Sequence, residues 1–526
     1  MTRSKLIRTL LVGALAVGVG TTAVAVPLIA SAASTLYEAE SATLSQAAVA
    51  NNHPGFTGTG FVDYTNATGG FVEFSVSAAQ AGSATLTFRY ANGSTTARPL
   101  DVMVNGASAG TVSGSATGSW STWATADVTA TLTAGTNTVR VTATTTTGGP
   151  NLDSLTVGDG GTTPPPTDWS LALAKTVMDA HSATSLSWSY PNGLYLYGQY
   201  LLYQRTQDPK LLTYIQQWAD HFIDASGHIS NSFGSLDSTQ PGVVYLALFE
   251  KTGLTKYKNA AIQIEKRLEH SNYPRTNDNA LWHATSRQHQ LWADGTFMAL
   301  PFLARFENLI GDGGIARNDA INNLLVYASH LQRPDGILWH AYDESGTQSW
   351  VVPGTKHAPE SWCRAIGWFG MATVMVLDVT PASTPGRDQV IANLQKLAAG
   401  IKTYQDPATG RWFQVVDKGS RSDNWTETSC SSMFSYTISR SVEQGYVDAN
   451  YQPVAAKGYK GPNLDGKGGV LAKISLDSAG HIKLTDICIG TNVGNYAFYI
   501  ARPRATNDFH GLGAFMIMNE QLRRTT

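Results

Sequence analysis

The stretch HQLWADGTFMALPF, residues 289–302, decides how the larger part of this chain folds. Its second half, from Phe297 onward, is almost entirely apolar and predicts a helix buried on most of its faces. An acid, Asp294, stands where that helix begins, two residues after Trp292. Aspartate is a favoured N-cap, because its carboxylate accepts hydrogen bonds from the first free backbone N–H groups. The other interpretation is that this acid points into a cavity and carries out chemistry.

Helical patterning continues on both sides of this stretch. From residue 169 to residue 526, apolar residues recur every three or four positions in about twelve segments, such as SLALAKTVMDAH and PKLLTYIQQWADHFI. Short connections alternate with long aromatic ones, and the absence of a fixed-length repeat disfavours an open solenoid. The sequence therefore predicts a closed α/α barrel with its long loops at one end.

The first third of the chain has a different texture. Over residues 34–157, short alternating runs such as FVEFSVS and SATLTFRYA are separated by Gly, Asn or Ser, which predicts an antiparallel β-sandwich. The segment GDGGTTPPPTD, residues 158–168, has the composition of a semi-rigid Gly/Thr/Pro linker. We therefore expect a multidomain protein.

The N-terminus carries a targeting pattern. Three basic residues precede an apolar run at 10–29, and Ala30-Ser31-Ala32 offers a small-x-small cleavage site. Residues 1–32 are thus predicted to be a secretory signal peptide. A membrane anchor is the alternative, which the Gly and other small residues of the run disfavour. The mature chain is expected outside the cell and free of the membrane.

Composition narrows the classes of partner. The net charge is -2, and only 14% of residues are charged, with no long run of one sign. Nucleic acid is therefore not an expected partner, whereas a secreted protein that handles sugars fits. The three cysteines, Cys363, Cys430 and Cys488, leave one necessarily unpaired, and which two pair, if any, stays open.

Acidic residues near both ends of the first domain suggest a cation site. Glu38 and Glu40, in YEAE, project from the same face of a strand, and Asp153 lies in the last strand, NLDSLTV. Carboxylates and carbonyls are ligands for a hard cation, and Ca²⁺ is the expected one outside a cell. Simple exposed edge charges are the alternative.

The stretches YEAESATL, GSWSTWATADVTATLTAGTNTVRVTA and GGPNLDSLTV resemble a family 35 carbohydrate-binding module over residues 36–158. The resemblance implies a jelly-roll-like β-sandwich stabilised by Ca²⁺, in which those three acids match structural ligands. It also implies a sugar site near Asn151 with a tryptophan, either Trp120 or Trp123, although packing in the core is favoured for Trp123. Plant cell-wall polysaccharide is the implied partner.

In the helical part, polar and aromatic residues recur at the loop or helix start that precedes successive helices. Singly they have plain explanations: Asp237 could cap a helix, His340 could be a satisfied strand histidine, and Trp368 could be core. Their recurrence at corresponding positions favours a shared site. The set is Tyr190, Asp237, His283, Trp292, Asp294, His340, Arg364 and Trp368.

The stretches NGLYLYG, LDSTQPG, WADGTFMALPF, SWCRAIGWFGMA and HGLGAFMIMNEQ, in that order, resemble glycoside hydrolase family 105. These are unsaturated rhamnogalacturonyl hydrolases, more distantly similar to the unsaturated glucuronyl hydrolases of family 88. The resemblance covers residues 170–523 and implies an (α/α)6 barrel. It implies that Asp294 is the general acid/base and Asp237 the second acid, while the other six residues of the set bind substrate. Ser238 departs from the acid that many relatives keep, and the loop of Lys356 and His357 is left unassigned.

The implied substrate is an oligosaccharide, pectic or otherwise rich in uronic acid, that ends in a Δ4,5-unsaturated uronic acid. Asp294 would protonate C4, water would add at C5, and the hemiketal would open. A donor near neutral pH needs a raised pKa, which the apolar Trp292 and the second carboxyl of Asp237 are expected to supply. Arg364 is expected to hold the substrate carboxylate through two parallel bonds, or else to pair with Asp237. The residue pattern requires no metal or other cofactor for catalysis.

Two alternatives remain open at this level. Barrels of this kind also host conventional inverting glycosidases that act on saturated plant polysaccharide with two carboxylates. The chain could also be a secreted, non-catalytic lectin that binds pectin. The sugar that follows the unsaturated residue, the ligand of the first domain and the oligomeric state are not encoded in these motifs.

Overall fold

The structure, a computed structural model, describes residues 35–78, 82–158, 168–477 and 479–524. The chain forms two compact units that meet in sequence at the 166–167 junction. The predicted signal peptide lies outside the described residues, as does the predicted linker except for its two end residues.

The N-terminal unit is the predicted antiparallel β-sandwich. One sheet has the strand order β3-β4-β11-β6-β9, with β1 also paired to β11, and the other has the order β2-β5-β10-β7-β8. The strands are β1 (Thr35–Glu38), β2 (Thr43–Ser45), β3 (Ala47–Ala50), β4 (Phe61–Tyr64), β5 (Phe71–Ala78), β6 (Gly82–Ala91), β7 (Leu100–Val104), β8 (Ala107–Val112), β9 (Ala124–Leu132), β10 (Gly135–Ala143) and β11 (Asn151–Val157).

Strict alternation produces the core of the sandwich. In β5, Val72, Phe74 and Val76 are buried while the residues between them are more exposed, and in β10 Val139 and Val141 are buried in the same way. Because successive side chains of a strand point to opposite faces, this pattern gives each sheet one apolar face, and the two faces pack together.

The C-terminal unit is helical. Its α-helices are α1 (Trp169–Ala180), α2 (Tyr190–Thr206), α3 (Pro209–His221), α4 (Gly242–Thr252), α5 (Thr255–Leu268), α6 (Asp294–Leu309), α7 (Ile315–Leu331), α8 (Cys363–Asp378), α9 (Arg387–Thr403), α10 (Thr428–Glu443), α11 (Gln452–Lys460), the short α12 (Tyr496–Ile500) and α13 (Phe509–Leu522).

Six of these helices close a ring. Each of α2, α4, α6, α8, α10 and α13 contacts the next, and α13 returns to α2. The helices α1, α3, α5, α7, α9 and α11 pack outside them and alternate with them along the chain. The predicted (α/α)6 barrel is thereby confirmed. The inner helices are buried around most of their circumference, as in α8 and α10, because neighbouring inner and outer helices pack against them.

Small residues permit close packing within the ring. A side chain added at Gly367 would come within 2.7 Å of Met433, and one added at Gly370 would come within 2.9 Å of Thr437. These two glycines of α8 therefore let it approach α10 closely. A disulfide between Cys363 and Cys430 joins the same two helices at their first turns, and Cys488 is free and buried.

Short two-stranded sheets shape the loops at the end of the barrel. They are β12 (Gln290–Trp292) with β13 (Ala341–Asp343), β14 (Ile474–Leu476) with β15 (Ile482–Leu484), and β16 (Ile487–Cys488) with β17 (Arg504–Ala505). Among the residues that the structure describes, no helix has both the length and the apolar character needed to cross a membrane.

Candidate active site

The N-terminal ends of the inner helices meet at one end of the barrel. Inner and outer helices alternate along the chain, so the six inner helices run in the same direction. Tyr190 is the first residue of α2, Asp294 the first of α6, and Arg364 the second of α8. A helix N-terminus presents free N–H groups and a partial positive charge, so this end of the barrel favours acidic side chains and anionic ligands.

Asp294 does not act as a helix cap. The residue before it, Ala293, occupies the cap position, and no side chain caps α6. The carboxylate of Asp294 instead lies 3.1 Å from Nε2 of His340, and 13% of its side chain is exposed. In the pairing of β12 with β13, Trp292 lies opposite Ala341. This register brings Asp294, two residues after Trp292, close to His340, the residue before Ala341. Of the two interpretations of this acid, the structure supports the one in which it faces the site.

His340 is fully buried and uses both ring nitrogens. Its Nδ1 lies 2.5 Å from the hydroxyl of Tyr499, a residue of α12. The hydroxyl also accepts a hydrogen bond of 3.0 Å from the backbone N–H of Gly494. The indole of Trp362 packs against the imidazole, with ring centroids 4.8 Å apart. His340 is therefore held from both sides and bonded to a site acid.

Trp292 is covered on its faces by protein. The ring of His283 stacks on it at 4.5 Å with an interplanar angle of 8°, and the guanidinium of Arg287 lies 4.2 Å from its ring centroid. The expectation that Trp292 offers a free face to a sugar is therefore wrong for this structure. Its indole N–H donates to the side chain of Gln290 at 3.0 Å.

Asp237 lies on the rim of the site. It belongs to a one-turn 3-10 helix whose cap is Ser235, so it caps no helix itself. Its carboxylate is 3.8 Å from Nε2 of His283, and 37% of its side chain is exposed. Asp237 and Asp294 are near enough to each other that the charge of Asp294 acts on Asp237.

The two acids differ in proton affinity. Desolvation raises the pKa of Asp237, the charge of Asp294 raises it further, and the opposing influence of His283 is smaller than their sum. Burial also raises the pKa of Asp294, but the field and hydrogen bond of His340, together with His283, outweigh it and lower the pKa. The prediction of a raised pKa for Asp294 is therefore wrong for the free protein, because its indole neighbour does not act alone.

Arg364 is engaged with the backbone. Its two terminal nitrogens donate to the carbonyls of Cys488 and Ile489, the latter at 2.8 Å, and the residue is only 1% exposed. Among the described residues, Arg364 forms no ion pair with Asp237. Its terminal nitrogens are also not free to form two parallel hydrogen bonds with a substrate carboxylate. The prediction that Arg364 binds the substrate is therefore wrong here, because α8 is buried and the guanidinium stabilises the loop that carries Cys488.

Tyr190 and Trp368 lie together, but their surroundings differ. The Tyr190 hydroxyl is 2.6 Å from Nε2 of His510, whose Nδ1 is 2.5 Å from Asp508. Trp368 is fully buried, 4.6 Å from Phe297 and edge-on to Tyr190 at 6.1 Å. The prediction that Trp368 stacks on a sugar is wrong here, since it packs in the core beneath the site, whereas Tyr190 stays partly exposed.

In the N-terminal unit, the three acids converge on one loop. The Thr57 hydroxyl lies 2.8 Å from a carboxylate oxygen of Glu38 and 2.9 Å from one of Asp153, so its single proton is shared between them. The Thr59 N–H donates to Glu40 at 2.7 Å. The charges of the other two acids help raise the pKa of Glu38, after burial.

Three carboxylates suit a hard cation by their chemistry, but their oxygen atoms do not all lie within 4.8 Å of one another. A buried carboxylate oxygen of Glu40 has no hydrogen-bond partner, and Arg89 supplies one positive charge to Asp153. Within the described ranges, the one set of three potential ligands with atoms within 4.8 Å of one another is Cys363, Glu427 and Cys430, two of which form the disulfide.

The residues proposed to bind sugar in this unit are partly covered by other groups of the protein. Asn151 is buried in β11, which removes most of its surface from a ligand. Trp120 is half-buried under the guanidinium of Arg98, which also donates to the Gly149 carbonyl at 3.2 Å and so links the tryptophan to the start of β11. Trp123 is also half-buried, with its indole N–H bonded to the Pro54 carbonyl at 3.1 Å.

Several site residues escaped sequence reasoning. His510 lies in the HGLGAFMIMNEQ motif and could have been found there, because a polar residue at the start of an inner helix is the recurring signal. Arg287 and Tyr499 carry no such signal. Arg287 lies in a loop, and Tyr499 sits in α12, outside the ring. In the loop of Lys356 and His357, the ring of His357 stacks on that of Trp339, with centroids 4.6 Å apart.

A closed α/α ring with two acids and several aromatic rings at the N-terminal ends of its inner helices is an architecture compatible with a glycosidase. Residues 169–525 match the family model described as Glycosyl Hydrolase Family 88, and residues 35–158 match Carbohydrate binding module (family 35). The chain therefore belongs to glycosyl hydrolase family 88 and carries an N-terminal module similar to family 35.

Individual relatives match different parts of the chain. A solved glycoside hydrolase from family 105 of C. acetobutylicum is 30% identical, covers 68% of this chain and 100% of its own, and has a TM-score of 0.64. The 24.9 kDa protein in picA locus of Rhizobium radiobacter is 29% identical over 230 residues, which is 42% of this chain and 96% of that protein. The Exo-beta-D-glucosaminidase of Amycolatopsis orientalis is 51% identical over 122 residues, 23% of this chain but 12% of that enzyme.

Proposed function

We propose that this chain is a secreted hydrolase that removes a Δ4,5-unsaturated uronic acid from the non-reducing end of lyase-generated oligosaccharides. Unsaturated fragments of rhamnogalacturonan or other pectin are the proposed substrate class. One observation carries the proposal: in a family 88 barrel, the partly exposed Asp294 and Asp237 face one site at the N-terminal end of the inner helices, and a buried histidine holds Asp294.

The proposed reaction is a hydration of the double bond. Asp294, in its protonated form, delivers a proton to C4, and the positive charge that develops is shared between C5 and the ring oxygen. Water then adds at C5 and loses a proton to the Asp294 carboxylate. The resulting hemiketal opens, the bond to the leaving sugar breaks at C1, and the enzyme returns to its starting protonation state. Bonds and protons balance without a second nucleophile.

The lowered pKa of Asp294 gives the substrate a part in this cycle. In the free protein Asp294 is ionised over most of the neutral range. A bound uronate brings a negative charge close to it, and a like charge raises the pKa of a carboxyl. Binding of the anionic sugar is therefore proposed to load Asp294 with its proton, with Asp237 as a second negative neighbour.

Arg287 is the guanidinium that we propose for the substrate carboxylate. It is partly exposed, lies over Trp292 and is close enough to Asp237 to affect its pKa. One N–H group of Arg287 donates a hydrogen bond of 3.0 Å to the side-chain oxygen of Asn492, which fixes the orientation of the Arg287 side chain. Arg364, whose terminal nitrogens are bonded to carbonyls, contributes positive charge from beneath the site instead.

The N-terminal module is proposed to hold the enzyme on plant cell-wall polysaccharide. Its similarity to family 35 modules, and the half-buried Trp120 near the start of β11, support this role. A structural Ca²⁺ would be held by Glu38, Glu40 and Asp153, and its positive charge would offset the repulsion between their carboxylates. The basic and apolar pattern of residues 1–32 supports export.

One observation favours a conventional inverting glycosidase as a second candidate. The pKa of Asp237 is raised and that of Asp294 is lowered, which is the division between a general acid and a general base. An inverting enzyme uses such a pair with water between carboxyls about 6.5–9.5 Å apart.

A pair of matched disaccharides separates the two candidates. One carries the Δ4,5-unsaturated uronic acid and the other its saturated counterpart, and turnover is followed by release of the reducing sugar and by the ultraviolet absorbance of the conjugated double bond. Loss of that absorbance, with no cleavage of the saturated compound, supports hydration. Cleavage of the saturated compound at an equal or higher rate contradicts it. A test over several lyase-generated oligosaccharides then identifies the following sugar.

A further inference from the structure

A chain of three hydrogen bonds ends on the site carboxylate. It runs from the backbone N–H of Gly494 to the hydroxyl of Tyr499, from that hydroxyl to Nδ1 of His340, and from Nε2 of His340 to Asp294. The tyrosine and the histidine are both fully buried. Solvent therefore does not replace either group as a donor or acceptor in the middle of this chain of hydrogen bonds.

The direction of these bonds follows from donor and acceptor counting. The Gly494 N–H can only donate, so one lone pair of the tyrosine oxygen is occupied. The hydroxyl must place its own proton, and within the described part of the chain Nδ1 of His340 is the acceptor that it meets. Burial raises the pKa of Tyr499, so the phenol keeps that proton.

This fixes the histidine. If Nδ1 accepts, then a neutral imidazole carries its proton on Nε2. That nitrogen faces Oδ2 of Asp294 at 3.1 Å, and there the N–H donates to a carboxylate. We propose that Tyr499 holds His340 as the neutral Nε2–H tautomer, so that His340 is a permanent donor to Asp294.

The surroundings of the chain are compatible with an uncharged ring. The charged or titratable groups that face it are Asp294, His283, Glu360, Cys488 and Arg364. The backbone carbonyl of Glu360 accepts the backbone N–H of His340, and the Glu360 carboxylate is paired with Lys418. Cys488 is near Tyr499, Arg364 lies over the ring of Trp362, and burial lowers the pKa of His283.

The tautomer has a positional consequence that rests on the proposed function. Because Oδ2 of Asp294 accepts from His340, the proton that moves to and from substrate must sit on Oδ1. Tyr499 is thus a positioning residue: it touches no reacting atom, but it determines which oxygen of the acid is free. An imidazolium in place of the neutral ring would bind the ionised carboxylate more tightly and oppose its protonation.

Nitrogen NMR on the full chain with labelled histidine tests the proposal directly and without substrate. His340 is identified as the resonance pair lost in His340→Gln. We expect it to show the neutral Nε2–H pattern at about pH 8, where an unperturbed histidine is neutral. A His340 that shows the Nδ1–H pattern, or a mixture of the two tautomers, overturns the proposal.

The Tyr499→Phe variant tests the cause. Without the hydroxyl, no group among the described residues donates to Nδ1, so part of the His340 population should move to the Nδ1–H tautomer, whose Nε2 cannot donate to Asp294. On a competent substrate, kcat/KM should then fall about tenfold, because the Asp294 carboxyl loses a charge-assisted hydrogen bond. An unchanged nitrogen spectrum of His340 in the variant overturns the proposal.

Tyr245→Phe is the matched control. Tyr245 is also fully buried in the ring and donates to a backbone carbonyl, that of Ala219, at 3.0 Å. The Tyr245→Phe variant should lose similar stability and leave the nitrogen spectrum of His340 unchanged, which separates positioning from folding. Failure of the unsaturated disaccharide to react would sink the proposed function but leave the tautomer of His340 intact, so the two failures are distinguishable.

Discussion

Glu265 offers a quantitative test of the electrostatics in the barrel wall. It lies on α5, is only 7% exposed, and faces a groove of about 620 Å³ between α5 and α7 that also contains Glu269, Asp312 and Asp319. Within the described residues, nothing donates a hydrogen bond to its carboxylate or pairs with it. Burial first, and then the charge of Glu269, raise the pKa of Glu265 from 4.5 to about 7.

The sign and size of the effect follow from linkage. Between pH 4.5 and about 7 the folded chain keeps a proton on Glu265 that the unfolded chain releases. Stability therefore falls as pH rises through this window and levels off above it. The full difference in pKa corresponds to a ceiling of ~3 kcal/mol. Solvent in the groove reduces this, so we expect Glu265→Gln to stabilise the helical unit by ~1–3 kcal/mol above pH 7 and by almost nothing near pH 4.5.

Urea unfolding at a series of pH values measures this difference. The helical circular dichroism signal follows the barrel, and the free energy of unfolding of variant and wild type is compared at each pH. Glu269→Gln is the comparison variant: Glu269 is exposed and contributes less than burial to the raised pKa of Glu265, so its removal should change stability by less than ~1 kcal/mol. If Glu265→Gln changed the free energy of unfolding by the same amount at every pH, the reasoning would be refuted, since the effect would then not come from ionisation of the Glu265 carboxyl.

Four further predictions concern the active site and the N-terminal module. Asp294→Asn should lower kcat on the unsaturated disaccharide by about 10²–10⁴-fold, whereas Asp237→Asn should lower it less and change the pH profile; equal losses would contradict the division of roles. In heavy water the wild type should place one deuterium at C4 of the product, as read by mass spectrometry, and its absence would exclude protonation of that carbon. Arg287→Gln should raise KM for the uronate by about 10–100-fold while kcat changes little, because a charge-assisted bond is worth about 1.5–3 kcal/mol. Chelation of Ca²⁺ should lower the melting temperature of the N-terminal module, measured by calorimetry, and leave that of the barrel unchanged; a chelator with no effect would contradict the cation site.

The matched variant for the arginine test is Arg333→Gln. This residue also lies over a tryptophan, Trp339, but it is paired with Asp335 and Asp417. It should alter stability rather than KM. If both variants raised KM alike, the effect would be one of general charge rather than of a specific contact.

The fold could be predicted from local pattern because period alone distinguishes the two units. Alternation in strands such as β5 and the three-to-four spacing in helices such as α3 are one-dimensional signals of which side faces a core. The position of Asp294 at the start of an apolar helix was visible for the same reason. Its N-cap interpretation failed because the competing partner, His340, comes from another part of the chain.

The chemical state of the site could not be predicted in this way. An apolar neighbour was expected to raise the pKa of Asp294, but a histidine donor reverses the direction. A free guanidinium was expected at Arg364, but burial of α8 commits it to carbonyls, and the accessible one is Arg287. Trp368 was expected to bind sugar, but the ring of inner helices encloses it.

What the sequence determined by itself was therefore the two units, the kind of secondary structure in each, and the set of residues that begin the inner helices. Only the tertiary structure decided which of them meet. His340 and Tyr499 are 159 positions apart, and Arg287 and Asn492 are 205 apart. Closure of the ring brings the C-terminal segment back over the loops of the middle of the chain. Proton affinity depends on such neighbours through distance and burial, which a local pattern does not contain.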